Sequence, residues 1–107
     1  MRSLLRILRK LAEWLKPAYK SVFVQDPPED FGNKTVYIVG HPGNAWMLSF
    51  QCPCGCKNII QLNLLKEANP RWTFRIIYNK IDIVPSIWRT TGCKSHFIIR
   101  RGKVIWC

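Results

Sequence analysis

The chain has 107 residues, enough for one small domain and too few for a catalyst that carries its own cofactor domain. Hydrophobic residues make up 48% and charged residues 21%, a globular balance, and no run of about 18 uncharged apolar residues exists to span a membrane. Lys+Arg 17 against Asp+Glu 6 gives a net charge of +11. Such a charge draws nucleic acid, anionic lipid or an acidic protein without choosing among them, and it also serves plain solubility.

The first segment reads as an amphipathic helix. Leu4, Leu8, Leu11 and Leu15 recur at helical spacing, while Arg2, Arg6, Arg9, Glu13 and Lys16 crowd the other side. Ser3 suits the N-cap, and Pro17 ends the helix. Three uses compete for it. The leucine stripe packs on the domain's own sheet, which is the default expectation. Otherwise the basic face of residues 1–16 lies on an anionic surface, or it docks on a partner.

Beyond Pro17 the chain is made of short β-like runs. These are Ser21–Gln25, Thr35–Val39, Trp46–Gln51, Asn58–Leu65, Trp72–Tyr78, Ile81–Val84, Ile87–Trp88, His96–Arg100 and Lys103–Trp106. Turn residues separate them, so seven to nine short strands predict a mostly β, antiparallel domain. The expected division is a basic amphipathic helix at 1–17 and a β domain at 18–107.

The last two runs permit register arithmetic. With Arg101-Gly102 as a two-residue turn, paired positions sum to 203. Ile99 then faces Val104, Phe97 faces Trp106, and His96 faces Cys107. Cys93 enters the same strand three residues earlier.

The five cysteines are odd in number, and three of them fall in Cys52-Pro-Cys54-Gly-Cys56. Neighbours at i and i+2 are poorly placed to bridge each other. Arg6, Arg9 and Lys10 interrupt any signal-peptide apolar core, so the expected compartment is the cytoplasm, where clustered thiols read as metal ligands. Zinc takes four ligands in a tetrahedron. Candidates are Cys52, Cys54, Cys56, Cys93 and Cys107, with His96 able to replace one thiol. The expected role is structural, a zinc clip on a small fold.

A closed four-ligand zinc site leaves no open position for chemistry. Catalysis would then fall to a side chain beside the clip, most naturally a serine activated by histidine. Of the two histidines, His41 lies in an exposed Gly-His-Pro-Gly loop. His96 lies between Cys93 and the last hairpin and is the better general base. Ser95 adjoins it, but adjacent strand residues point to opposite faces. Ser86 comes from a separate segment that can approach His96 across the fold. Asp82 is near enough in sequence to orient the base. No Gly-x-Ser-x-Gly elbow, HExxH or phosphate-binding glycine loop is present.

Five spaced motifs carry a resemblance over about residues 20–107. They are Cys52-Pro-Cys-Gly-Cys56, Leu62-Asn-Leu64, Pro70-Arg-Trp72, Pro85-Ser-Ile-Trp-Arg-Thr-Thr-Gly-Cys-Lys-Ser-His-Phe97 and Gly102-Lys-Val-Ile-Trp106. Together they resemble a small bacterial zinc-binding, peptidase-like family from Bub-type operons, which encode a ubiquitin-like protein and relatives of its activating and conjugating enzymes and are linked to antiphage defence. The resemblance implies those proteins as partners. It also implies a peptidase that processes or deconjugates the ubiquitin-like protein, with a serine nucleophile and a histidine base. Ser86, Ser95 and His96 stand at matching motif positions. No small-molecule cofactor is expected. The competing reading is a non-enzymatic zinc-binding adaptor that recruits a protein or nucleic acid through its basic helix and Arg100/Arg101, with Trp72 or Trp88 stacking on bases.

Overall fold

Alternating burial along short β-branched runs produces eight strands in the computed structural model, which describes residues 3–8, 18–90 and 92–107. They are β1 (Lys20–Val24), β2 (Thr35–Val39), β3 (Met47–Gln51), β4 (Ile59–Asn63), β5 (Thr73–Ile77), β6 (Lys80–Trp88), β7 (His96–Arg100) and β8 (Lys103–Trp106). β4 shows the pattern plainly: Ile60 and Leu62 are buried, while Ile59, Gln61 and Asn63 are exposed.

Two four-stranded sheets result, ordered β1-β2-β3-β4 and β5-β6-β7-β8. The fold is mostly β, as the run pattern predicts. Each pairing is antiparallel apart from β1 with β2, which run parallel. The connection through Asp26-Pro27-Pro28 is long enough to carry the chain back to the same end of the sheet before β2 begins.

The sheets pack face to face around one core. Val36, Ile38, Leu48, Phe50, Ile60 and Leu62 face Ile81, Ile83, Ile87, Phe97 and Ile99. Phe50 and Phe97 meet edge to face across the interface, with centroids 6.5 Å apart.

The terminal hairpin has the register that its turn dictates. Phe97 pairs with Trp106 and Ile99 with Val104, and the Cys107 N–H donates to the His96 carbonyl at 2.9 Å. Arg101 and Gly102 both have positive φ, 51° and 75°, as a two-residue turn of this hand requires. Gly102 also donates to the Ile81 carbonyl and accepts from the Tyr19 N–H, each at 2.7 Å, so the turn anchors the backbone at Tyr19.

Two expectations need adjusting. Ile81–Val84 and Ile87–Trp88 belong to one nine-residue strand, β6, interrupted by a bulge. Residues 3–8 are helical, but Leu4 and Leu8 are 59% and 52% exposed, so this turn and a half does not bury its stripe on the sheet. Leu11, Leu15 and the helix end at Pro17 lie outside the described residues. Among the described residues no helix is long and apolar enough to cross a membrane.

Candidate functional site

The β3–β4 turn and the β6–β7 loop meet at one end of the sandwich. Gly55 at φ 93° and Lys57 at φ 64° fold the first tightly, and the Cys52 N–H donates to the Asn58 carbonyl at 2.8 Å. In the second, Gly92 and Lys94 have positive φ, and the Arg89 N–H closes the loop on the Ser95 carbonyl at 2.8 Å.

These turns gather Cys52, Cys54, Cys56 and Cys93, whose sulfurs all lie within 4.8 Å of one another. Cys52 Sγ is 3.4 Å from Cys54 Sγ and 3.6 Å from Cys93 Sγ. A tetrahedral zinc with thiolates at about 2.3 Å separates its sulfurs by about 3.8 Å. The four residues therefore fit such an ion. Three ligands come from one sheet and the fourth from the other, so an ion here pins the sandwich shut at this end. Cys107 and His96 are not members of the group. Cys107 is exposed at the end of the chain, and the His96 ring is engaged elsewhere.

Local electrostatics favour thiolates. Ser95 Oγ lies 3.1 Å from Cys93 Sγ, and its hydrogen bond brings the Cys93 thiol down to about 6. The Cys56 N–H donates to Cys54 Sγ at 3.4 Å and lowers that thiol too. Burial pushes Cys52 up to about 11, the opposite sense, so a cation is needed to hold it ionised. Arg89 Nη1 approaches Cys56 Sγ at 3.8 Å and Cys93 Sγ at 3.9 Å, an electropositive contact the sequence did not announce.

Ser95 is thereby committed. It is buried, and its hydroxyl faces Cys93 and, at 3.9 Å, Cys52. Directly after it, His96 opens β7 and points to the outer face, because Phe97 points into the core.

On that outer face His96 Nε2 lies 3.1 Å from Ser86 Oγ. The bulge in β6 is what makes the approach. Ile83 pairs with Ile99, yet Ile87 pairs with Phe97, so four steps along β6 oppose two along β7. The extra residues lie around Pro85, and Trp72 steadies them by donating its indole N–H to the Ser86 carbonyl at 3.3 Å. Beyond the bulge, Trp88 pairs with His96 and stacks on its ring, with centroids 5.4 Å apart. Trp72 packs against the core, whereas Trp88 lies on the imidazole and is 65% exposed.

Asp82 does not orient the base. Its carboxylate takes the Arg75 guanidinium at 3.0 Å and the Arg101 backbone N–H, and the latter contact most of all holds it below the ordinary carboxylate range. Among the described residues no carboxylate touches His96, whose ring hydrogen-bonds with Ser86. His41 is exposed in its loop, away from this constellation.

Fold and site together define a small β sandwich with a four-cysteine cluster at one end. Residues 23–107 match the family model described as bacterial ubiquitination-like system serine protease (BubE), and the chain belongs to that family. No curated protein and no solved structure matches the chain.

Proposed function

We propose that this chain hydrolyses an acyl bond at the tail of the ubiquitin-like protein of its system, with Ser86 as nucleophile and His96 as general base. One observation carries the reading: the 3.1 Å contact between Ser86 Oγ and His96 Nε2 on an accessible face. With the ring proton on Nδ1, Nε2 accepts the serine proton as Oγ attacks the carbonyl carbon. The imidazolium then gives that proton to the leaving group as the bond to it breaks. Water, deprotonated by the same nitrogen, hydrolyses the acyl-serine and restores both side chains.

Ser95 belongs to the thiol cluster and not to the reaction. The cluster holds structural zinc, which supplies no open coordination position and leaves the chemistry to the dyad. Zinc instead fixes Cys93, and through it the start of β7 only three residues on, where His96 stands. The partners are the ubiquitin-like protein and its activating and conjugating enzymes, and cysteines that bind metal and form no disulfide suit a cytoplasmic site of action.

The test is incubation of purified protein with the ubiquitin-like protein bearing a C-terminal extension, read by intact mass. Cleavage at one bond by the wild type, and none by Ser86→Ala or His96→Ala with zinc content retained, is the expected result. Undiminished cleavage by Ser86→Ala removes the assignment.

A further inference from the structure

A groove of about 320 Å³ runs along the outer face of β6 away from the dyad. Ser86 lines one end. Val84 and Ile98 line the middle, and Arg75, Asp82 and Arg100 line the other end. Val84 is 57% exposed, which leaves an apolar floor open to solvent midway. Four steps along the regular strand β7 separate His96, which touches Ser86, from Arg100, roughly 13 Å at about 3.3 Å per residue. That is the reach of about four residues of extended peptide.

The far end is electropositive. Arg75 and Asp82 neutralise each other at 3.0 Å, and Asp82 also accepts from the Arg101 N–H, so its charge is spent. Arg100 adds a further cation on the same face. Among the described residues lining this end, Arg100 is a cation beyond the neutralised Arg75–Asp82 pair, so an anionic side chain on a bound segment meets positive charge there.

Resting on the dyad assignment, we propose that this groove is a specificity subsite for an extended segment of the protein substrate. The segment carries an apolar side chain over Val84 and Ile98. It sets an acidic side chain against Arg100, three or four residues from the bond that is cut. Side-chain alternation in an extended chain gives this spacing, since the residues that point at the sheet fall at every second position.

Binding can be read without turnover. The full chain with Ser86→Ala is titrated against fluorescein-labelled decapeptides of Gly, Ser and Val carrying one Glu at successive positions, each beside its Gln counterpart, by fluorescence anisotropy. The expected result is one Glu position that binds about three- to tenfold more tightly than Gln, a preference abolished by adding Arg100→Gln. Zinc content and circular dichroism confirm that each variant is folded. Equal binding of Glu and Gln peptides throughout, no binding of any of them, or a Glu preference that survives Arg100→Gln overturns the subsite. Because the nucleophile is absent from this assay, its outcome is separate from that of the dyad. A wild-type enzyme that cleaves while the peptides show no Glu preference loses the subsite alone. One that never cleaves, though its Ser86→Ala form prefers Glu through Arg100, loses the dyad alone.

Discussion

Trp88 lies nearly flat on the imidazole of His96, with centroids 5.4 Å apart and planes within 24°. No carboxylate among the described residues holds that ring, so the indole and the Ser86 hydroxyl are what limit its rotation. Trp88→Ala is expected to lower kcat about tenfold, with Trp88→Phe restoring most of the rate, because stacking and not the indole N–H is at issue. Steady-state kinetics on the processed partner check this, and equal activity of the alanine variant contradicts it.

Ser86 and Ser95 occupy opposite environments, and substitution separates them. With Ser86 as the proposed nucleophile, Ser86→Ala is expected to cost on the order of 10³-fold or more in kcat/KM. Ser95→Ala removes a hydrogen bond to Cys93 and is expected to weaken zinc about 10- to 100-fold while leaving the rate of the zinc-saturated protein within a few-fold. Competition with a chromophoric chelator measures the first quantity and turnover the second.

Metal content discriminates among the five thiols. Cys52→Ser and Cys93→Ser are expected to lose bound zinc, whereas Cys107→Ser keeps one ion per chain. Chelation joins the loss of a metal to the loss of a link between sheets. It is expected to lower the thermal midpoint on the order of 10–20 °C, the shift that about 2–4 kcal/mol produces in a domain of this size. Elemental analysis and melting curves of the four proteins are the measurement.

Gly102 is bound by its backbone. At φ 75°, a Cβ there would stand 2.9 Å from the Ala18 Cβ and 3.0 Å from the Tyr19 carbonyl oxygen. Gly102→Ala is expected to destabilise by about 1–3 kcal/mol through strain and the displaced anchor of residues 18 and 19. Urea unfolding gives the number. A variant as stable as the parent shows that residues 18 and 19 can yield.

The terminal hairpin was readable because Arg101-Gly102 leaves one register for the strands beside it, and that register follows from arithmetic. The thiol cluster was readable in kind but not in membership. Counting residues pairs Cys107 with His96, but it cannot tell that the exposed Cys54 and Cys56 both turn toward Cys52 or that Cys107 stays outside the group. The nearness of Ser86 to His96 was conceivable from the chain order alone. What aims it is the bulge at Pro85, and the hint was a proline inside a β-branched run, which marks an irregularity without giving its direction. Arg89 had no signal, and Trp88 was legible as a stacking aromatic but not as the neighbour of His96, since that contact follows from the pairing beyond the bulge. The parallel β1–β2 pair was also hidden, because strand patterns carry no direction.

The identity of the nucleophile is open to direct chemical capture. A fluorophosphonate, which phosphonylates an activated serine hydroxyl, followed by peptide mapping, reports the labelled residue. The account predicts one label per chain, on Ser86, that disappears in His96→Ala while zinc content stays the same. A label on Ser95, or no label on Ser86 in protein that cleaves its partner, contradicts it.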